Sequence, residues 1–224
     1  MCPVCEQRLD RGEKSFTCVA DHSFDIAREG YVNLVLVHHR RSAVAGDPKQ
    51  SLKHRRLFLD AGHYAPLAAA LADLLGRSSP ESVLDVGCGE GYYLRQWAAT
   101  SLSQGVRQYG VDVSKEAVRL ATKAAPQVDH AVGNTYRLPV LDSSVAALLQ
   151  VFAPSDPQQV RRVLRSEGVF IEVKPGPRHL QTLRGMIYDQ PQHHAEAQIP
   201  EGFSLMTAEQ LTFPLILSSP EDVA

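Results

Sequence analysis

The sequence predicts an α/β protein in which a parallel sheet flanked by helices follows a small N-terminal metal-binding module. Three observations carry this prediction. Two pairs of metal-ligand residues fall within positions 1–22, a glycine-rich turn joins an apolar strand to a helix near position 87, and strands alternate with helices from there to about position 175. The 224 residues suffice for one large domain or for a standard domain with an appendage.

The composition limits the class of protein. Hydrophobic residues make up 44% of the chain and charged residues 21%, and the formal net charge is -2, which is typical of a soluble globular protein rather than a disordered or generally basic one. No apolar run approaches the ~20 residues that span a bilayer, and the N-terminus lacks a secretory pattern. We therefore expect a cytoplasmic protein with no membrane partner, whose clustered cysteines bind metal or do redox chemistry rather than forming disulfides.

The N-terminal segment contains a C-x-x-C pair and, after twelve intervening residues, a C-x-x-x-H pair. Each short turn places two side chains on one ion, and the intervening loop brings the pairs together, which suits tetrahedral zinc. A thioredoxin-like redox pair at the first two cysteines is the alternative, but it lacks the strand-before-helix context and leaves the second pair unexplained. Four protein ligands leave no open position, so the zinc is expected to be structural. The predicted ligands are Cys2, Cys5, Cys18 and His22.

A basic segment follows the predicted zinc module. Residues 24–37, "FDIAREGYVNLVLV", suit the edge of a small sheet because they are rich in aromatic and β-branched residues. From position 38 to 56 the chain then has six Lys or Arg and three His against one acid. This segment is either a solvated linker and helix face or a surface that contacts RNA phosphates. The predicted RNA-contacting residues are Arg40, Arg41, Arg55 and Arg56.

A glycine-rich turn marks a predicted cofactor site. An apolar strand at 83–86 runs into "DVGCGEG", and a helical pattern follows to about position 100. The glycines allow positive φ and let a ligand approach bare backbone at a helix N-terminus. The D-x-G-x-G-x-G spacing differs from the dinucleotide pattern G-x-G-x-x-G and resembles the first motif of the S-adenosylmethionine-dependent methyltransferases. The cofactor-binding residues predicted here are Asp85, which could instead cap the loop, Gly87, Gly89 and Gly91, with Cys88 as a space-filling residue inside the loop.

The second predicted strand supports a nucleoside ligand. It ends in Asp112, 21 residues beyond Gly91, where α/β nucleotide-binding folds place a carboxylate that accepts hydrogen bonds from the ribose hydroxyls. Ser114 then caps the following helix. We therefore predict that Asp112 binds the ribose of S-adenosylmethionine.

Two further strands complete the predicted edge of the sheet. A third strand, near 128–132, leads to Asn134, which either contacts adenine or serves as a turn residue. A fourth, 145–151, ends at Phe152, and this ring and Tyr136 are candidate surfaces for stacking a methyl-accepting base. A helix and a glycine turn precede a fifth strand, so the whole pattern predicts the class I methyltransferase fold.

Several blocks in the same order resemble the 23S ribosomal RNA (guanine-N-1)-methyltransferases across nearly the whole chain: "CPVC", "EGYVNL", "FLDAGHY", "GCGEGYY" and "PGPRHL". The resemblance implies S-adenosylmethionine as cofactor, structural zinc, and 23S ribosomal RNA as partner. It also implies methyl transfer to the N-1 nitrogen of a guanine in a stem-loop near the peptide exit tunnel. Further cofactor contacts are implied for Tyr64, for Cys88 with Gly89, and for His179.

The expected organisation is a zinc-binding RNA-recognition module at 1–37, a basic linker and helix at 38–65, and a methyltransferase domain at 66–224. Because relatives are expected to continue past "LILSSPEDVA", the C-terminal end of the sheet is expected to be truncated. Two alternatives stay open, a small-molecule methyltransferase and a non-catalytic RNA- or cofactor-binding remnant. No catalytic base is identified from the sequence, His193 and His194 are interpreted as surface residues, and a homodimer remains open.

Overall fold

A computed structural model of the chain describes residues 1–36, 49–190, 194–195 and 197–217. Its centre is a six-stranded, all-parallel sheet with strand order β4-β7-β6-β5-β8-β9, next to a three-stranded antiparallel sheet, β1-β2-β3. The strands are β1 (Asp10–Arg11), β2 (Ser15–Thr17), β3 (Ser23–Asp25), β4 (Val32–Asn33), β5 (Ser82–Val86), β6 (Arg107–Asp112), β7 (Asp129–Val132), β8 (Val145–Val151) and β9 (Leu164–Val173). The helices are α1 (Lys49–Asp60), α2 (Ala65–Ser78), α3 (Tyr92–Ala98), α4 (Lys115–Ala124), α5 (Pro157–Val163) and α6 (Gln181–Ile187).

Helices cover both faces of the large sheet, as the alternation of strands and helices predicts. On β5, Val83 packs in a buried cluster with Trp97 of α3, whereas the next residue, Leu84, packs with Val160 of α5. Successive side chains of a strand point to opposite faces, so these two clusters are the two sides of one doubly wound sheet. All five residues of β5 are buried, which explains why its sequence, "SVLDV", is mostly apolar.

The N-terminal segment reaches into the large sheet. Val32 and Asn33 of β4 pair in parallel with Ala131 and Val132 of β7, so the segment predicted as a sheet edge forms the outer strand on that side. Tyr31 is buried in a cluster with Val132. The small antiparallel sheet and the large sheet are therefore joined by backbone pairing as well as by side-chain packing.

The opposite edge of the sheet is β9. Its register against β8 shifts between Val145↔Leu164 and Ala147↔Val169, so a bulge interrupts the pairing. The predicted turn glycine, Gly168, lies in this bulge, where a Cβ would come within 2.9 Å of the Arg165 carbonyl oxygen. Within the described ranges no further strand pairs with β9, and none of the described helices is long and apolar enough to cross a bilayer.

Candidate functional site

The four predicted metal ligands meet at one point in the N-terminal module. Cys18 Sγ lies 3.4 Å from His22 Nδ1 and 3.6 Å from Cys5 Sγ, and Cys2 Sγ lies 3.7 Å from His22 Nδ1. All four ligand atoms lie within 4.8 Å of one another. A tetrahedron with zinc–sulfur bonds of ~2.3 Å has edges of about 3.8 Å, so the set fits a zinc ion. The ligands are thus positioned to bind a metal, and the second pair belongs to the same site as the first.

Two tight turns hold these ligands. Glu6 N donates to Cys2 O at 2.9 Å, and Asp21 N donates to Cys18 O at 2.9 Å. Glu6 and Asp21 have φ of 60° and 58°, in the left-handed region that non-glycine residues seldom adopt. Each strained residue closes one turn, which shows that the backbone is arranged around the ligand pairs.

The glycine-rich loop after β5 has the conformation that its glycines permit. Gly87, Gly89 and Gly91 have φ of 72°, 57° and 81°. A Cβ at Gly87 would overlap the Cβ of Ala153, so close packing requires glycine there. A Cβ at Gly89 would meet no described atom within 4 Å. The space beside Gly89 is therefore open to a ligand that approaches the backbone.

Asp112, at the carboxyl end of β6, ties this loop to the next helix. Its Oδ2 accepts a hydrogen bond from Gly89 N at 2.9 Å, and its Oδ1 accepts one from Ser114 N at 2.8 Å. Ser114 Oγ accepts from Ala117 N at 3.3 Å, so the predicted cap of α4 is confirmed. A carboxylate offers about four acceptor sites and can accept from hydroxyl as well as amide donors. The place and chemistry of Asp112 suit the predicted contact with ribose hydroxyls.

Two more acids lie buried around the loop. Asp85 is 2% exposed, and its Oδ2 finds no hydrogen-bond partner among the described residues; burial, followed by the nearby Asp112 and Glu90, raises the Asp85 pKa to about 8. Glu90 is 3% exposed, and burial also raises its pKa, against the opposing charge of Arg95. A cationic ligand beside these carboxyl groups would favour their ionised forms and so offset the cost of burial and of their mutual repulsion. The acids therefore fit the sulfonium and ammonium charges of S-adenosylmethionine.

Cys88 lies inside the loop as a packed residue. It is 8% exposed, and a Cβ on Gly110 would come within 3.1 Å of its sulfur. Burial, followed by the charges of Asp85, Asp112 and Glu90, raises the pKa of its thiol well above the usual value. Such a thiol is inert at neutral pH, which agrees with the space-filling interpretation rather than a nucleophile.

A cavity of about 470 Å³ opens at the carboxyl end of β8. Gln150 lines it, donating from Nε2 to Ala153 O at 2.6 Å and accepting from Ser155 Oγ at 2.5 Å. Between these contacts Phe152 has φ of 51°, and its side chain is partly exposed. A bulky residue with φ in the left-handed region has a strained backbone, and such strain is found most often at functional sites. Sequence reasoning missed Gln150, although a lone polar residue in the strand "VAALLQV" was a signal.

His179 lines this cavity and contacts Tyr64, which lies 115 positions earlier in the chain. Tyr64 Oη lies 3.4 Å from His179 Nε2, and the Phe152 ring centroid lies 5.5 Å from that of His179 and 6.2 Å from that of Tyr64. Burial, followed by the charges of His194 and Arg184, lowers the His179 pKa. Both residues implied as cofactor contacts by the "AGHY" and "PGPRHL" blocks thus meet beside the loop that follows β8.

His194 also lies beside this cavity, a position that its interpretation as a surface residue did not include. Its side chain is partly buried, lines the cavity and lies 6.0 Å from the His179 ring. Its polar sequence neighbours gave no sign of this, because the contact comes from chain folding rather than from local sequence. His193 lies outside the described residues.

The loop after β7 begins against Asp112. Gly133 N donates to Asp112 O at 2.9 Å, and Asn134 Oδ1 accepts from Tyr136 N at 2.8 Å. Asn134 therefore acts as an Asx-type turn residue, one of the two predicted roles, in a place adjacent to the predicted ribose contact. The Tyr136 side chain is 57% exposed, so its ring lies at the surface rather than in the core.

The basic residues of α1 lie near the same site. Arg56 Nε is 3.4 Å from Asp60 Oδ2, and Arg95 Nη2 is 2.5 Å from Asp60 Oδ1. The positive charges of Arg55 and Arg56 also favour the ionised form of buried Glu90, against the effect of burial on its pKa. The other two predicted RNA contacts, Arg40 and Arg41, lie outside the described residues.

The fold and the glycine-rich loop define a class I methyltransferase with an N-terminal zinc ribbon. Residues 1–43 match the family described as "RlmA, N-terminal", and residues 83–168 match the family described as "Methyltransferase domain". Both matches agree with the predicted order of a zinc module followed by a cofactor domain.

Relatives with assigned names indicate which kind of methyltransferase the chain is most similar to. The chain is 38% identical over 200 residues to a putative 23S rRNA (guanine-N(1)-)-methyltransferase of Micromonospora griseorubida, covering 80% of this chain and 66% of that protein. It is 38% identical over 189 residues to the 23S rRNA (guanine(748)-N(1))-methyltransferase of Streptomyces fradiae, covering 81% and 65%. It is 32% identical over 196 residues to the putative 23S rRNA (guanine-N(1)-)-methyltransferase YxjB of Bacillus subtilis (strain 168), covering 84% and 68%.

The chain belongs to the 23S rRNA (guanine-N(1)-)-methyltransferase family, and the predicted family is confirmed. It spans about two thirds of the length of these relatives.

Proposed function

We propose that the chain transfers a methyl group from S-adenosylmethionine to the N-1 nitrogen of a guanine in a 23S rRNA stem-loop near the peptide exit tunnel. The observation that carries the proposal is that the open glycine-rich loop, Asp112 and the aromatic cavity all lie at the carboxyl ends of parallel strands. In sheets of this kind that edge is where ligands bind. The names of the relatives support guanine and ribosomal RNA as the acceptor.

In the proposed complex, S-adenosylmethionine supplies a methyl group that its sulfonium charge activates. Asp112 accepts from the ribose hydroxyls, and Asn134 lies on the adenine side. The buried acids around the loop favour the cationic end of the cofactor because their own charges are poorly solvated. The residues proposed to contact the cofactor are Tyr64, Asp85, Gly87, Cys88, Gly89, Gly91, Asp112, Asn134 and His179.

The proposed acceptor site is the cavity beside Phe152. Its volume of about 470 Å³ lies in the range typical of small-molecule sites, ~300–1,000 Å³. The N-1 nitrogen lies on the Watson–Crick edge of guanine, so the base must leave its pair or stack before transfer. The partly exposed Phe152 ring, whose backbone has φ of 51°, offers a surface on which an extruded base can stack.

The N-1 nitrogen also carries a proton that must leave before or during transfer. His179 packs against Phe152, and its lowered pKa keeps the imidazole neutral near pH 7. A neutral imidazole can accept this proton, so we assign His179 as the proton acceptor in addition to its cofactor contact. The proton is then passed to solvent as the N-1-methylated base leaves.

We further propose that the basic segment binds the RNA phosphates. Substituting Arg40, Arg41, Arg55 and Arg56 together with Ala is expected to weaken binding of a 23S rRNA hairpin and to spare S-adenosylmethionine binding. Arg165→Ala is the control, since Arg165 lies at the opposite end of the sheet, paired with Glu81 at 3.3 Å. RNA affinity that is equal in both variants would contradict the assignment. A ribosomal RNA substrate also implies a cytoplasmic location.

Isothermal titration with S-adenosylmethionine tests the cofactor half of the proposal. Micromolar binding that is lost in Asp112→Ala is the expected result, because the variant removes the ribose acceptor and the anchor of Gly89 together. The absence of binding to the wild type would favour a non-catalytic remnant. Binding with methyl transfer to metabolites but not to RNA would favour a small-molecule methyltransferase.

A further inference from the structure

Two side-by-side contacts join the zinc module to residues 133–139, the loop that follows β7. Glu6 Oε1 lies 2.9 Å from Arg137 Nη2, and the amino group of Met1 donates to Pro139 O at 3.0 Å. Each of these two module residues is the sequence neighbour of a zinc ligand. Both contacts therefore lie next to the metal site.

Backbone pairing adds a third connection at the start of the same loop. Asn33 of β4 pairs with Val132, the last residue of β7, and Leu34 N donates to Val132 O at 2.9 Å. The loop thus leaves the sheet from a strand that the N-terminal segment holds on its outer side.

The loop is also continuous with the proposed cofactor site. Arg137 N donates to Asn134 O at 3.2 Å, Gly133 N donates to Asp112 O at 2.9 Å, and Asp112 in turn accepts from Gly89 N. A path of hydrogen bonds and short covalent links therefore connects Glu6 to the glycine-rich loop. Coupling between sites travels through such physically connected contacts.

We propose that zinc binding positions the 133–139 loop and so sets the affinity for S-adenosylmethionine, with Glu6 as a positioning residue. The inference rests on the proposed function, in which Asn134 lies on the adenine side of the cofactor. Zinc holds the turn that carries Glu6, Glu6 holds Arg137, and Arg137 holds the backbone of Asn134. The zinc ribbon then has a role in cofactor binding besides any contact with RNA.

A matched pair of variants separates this role from general attachment of the module. Arg11 Nη1 lies 2.6 Å from Asp129 Oδ1, an ion pair that also joins the module to β7 but at the strand's other end. The two pairs are similarly exposed, at 53% and 57% for Arg11 and Asp129 and 52% and 61% for Arg137 and Glu6. They differ in whether they touch the 133–139 loop.

The experiment measures S-adenosylmethionine affinity by isothermal titration on zinc-loaded protein. Glu6→Gln is expected to raise Kd about 2- to 5-fold, the range for one exposed ion pair, and Arg11→Gln to leave it unchanged. The charge reversal Glu6→Arg with Arg137→Glu is expected to restore the wild-type Kd. Equal Kd values for Glu6→Gln and wild type would overturn the inference.

Linkage gives a second readout that does not use variants. If zinc raises cofactor affinity, then S-adenosylmethionine must raise zinc affinity by the same factor. At equilibrium with a competing chromogenic chelator, the wild type is therefore expected to retain more zinc when the cofactor is present. Zinc loss that is indifferent to saturating cofactor would contradict the coupling and leave the proposed function standing, whereas no cofactor binding to zinc-loaded wild type would overturn both.

Discussion

Gly89→Ala tests whether the open space beside the glycine-rich loop is the cofactor site. Gly89 has φ of 57°, so an alanine there carries the left-handed strain of ~1–2 kcal/mol. Its Cβ meets no described atom within 4 Å, so no clash adds to this cost. For a chain of this size the expected fall in Tm is about 2–8 °C.

The effect of the same substitution on cofactor binding is expected to be larger than its effect on folding. A ligand that lies against the Gly89 backbone would collide with the new methyl group. Overpacking of a tight contact costs ~1–3 kcal/mol, which corresponds to about a 5- to 150-fold rise in the Kd for S-adenosylmethionine. Isothermal titration measures this rise, and circular dichroism melting measures the stability.

Gly87→Ala is the comparison for stability rather than for binding, since Gly87 is itself a proposed cofactor contact. Its φ of 72° brings similar strain, but its Cβ would overlap the Ala153 Cβ, so overpacking within the protein adds to the cost, for a total of about 2–5 kcal/mol. Adding Ala153→Gly should recover part of that loss. Wild-type affinity in folded Gly89→Ala would refute the reasoning, because the space would then not be occupied by the cofactor.

Four further predictions follow from the site. A cation beside Asp85 lowers its pKa from about 8, so cofactor binding should release protons and should strengthen as pH rises from 6 to about 8, then level off. Isothermal titrations in buffers of different ionisation heat measure the proton release. Asp85→Asn should abolish both the proton release and the pH dependence of binding. Mass spectrometry under native conditions should find one zinc per chain, and Cys18→Ser should lose it with a lower Tm. Phe152→Ala should lower kcat/KM for the RNA about 5- to 150-fold through lost stacking, whereas Tyr64→Phe, which removes only a 3.4 Å contact, should change it less than about 3-fold. His179→Asn should remove the acid limb of the pH–kcat profile, and an unchanged profile would exclude His179 as proton acceptor.

The zinc ligands and the cofactor loop could be predicted from the sequence because their geometry is local. The two Cys/His turns each span a few residues, and the glycine spacing dictates a backbone with positive φ at Gly87, Gly89 and Gly91. Asp112 could be predicted because β6 is short and parallel to β5. The number of residues after the glycine-rich loop therefore places Asp112 at the carboxyl end of β6.

Other features depend on contacts between distant segments. His194 lines the cavity beside His179, and nothing in its neighbouring residues encodes that position. The Glu6–Arg137 pair joins residues 131 positions apart. The backbone strain at Phe152 could not be predicted from the sequence either, since an aromatic residue after a strand normally indicates core packing. These features appear only when the whole fold is assembled.

Methyl transfer to ribosomal RNA tests the central claim most directly. The protein, loaded with zinc, is incubated with methyl-labelled S-adenosylmethionine and 23S rRNA that lacks the modification, and the labelled nucleotide is mapped. The account predicts label at the N-1 nitrogen of a single guanine in one stem-loop, and none when Asp112→Ala is used. Label on another atom or base, or no label from protein that binds the cofactor, would contradict it.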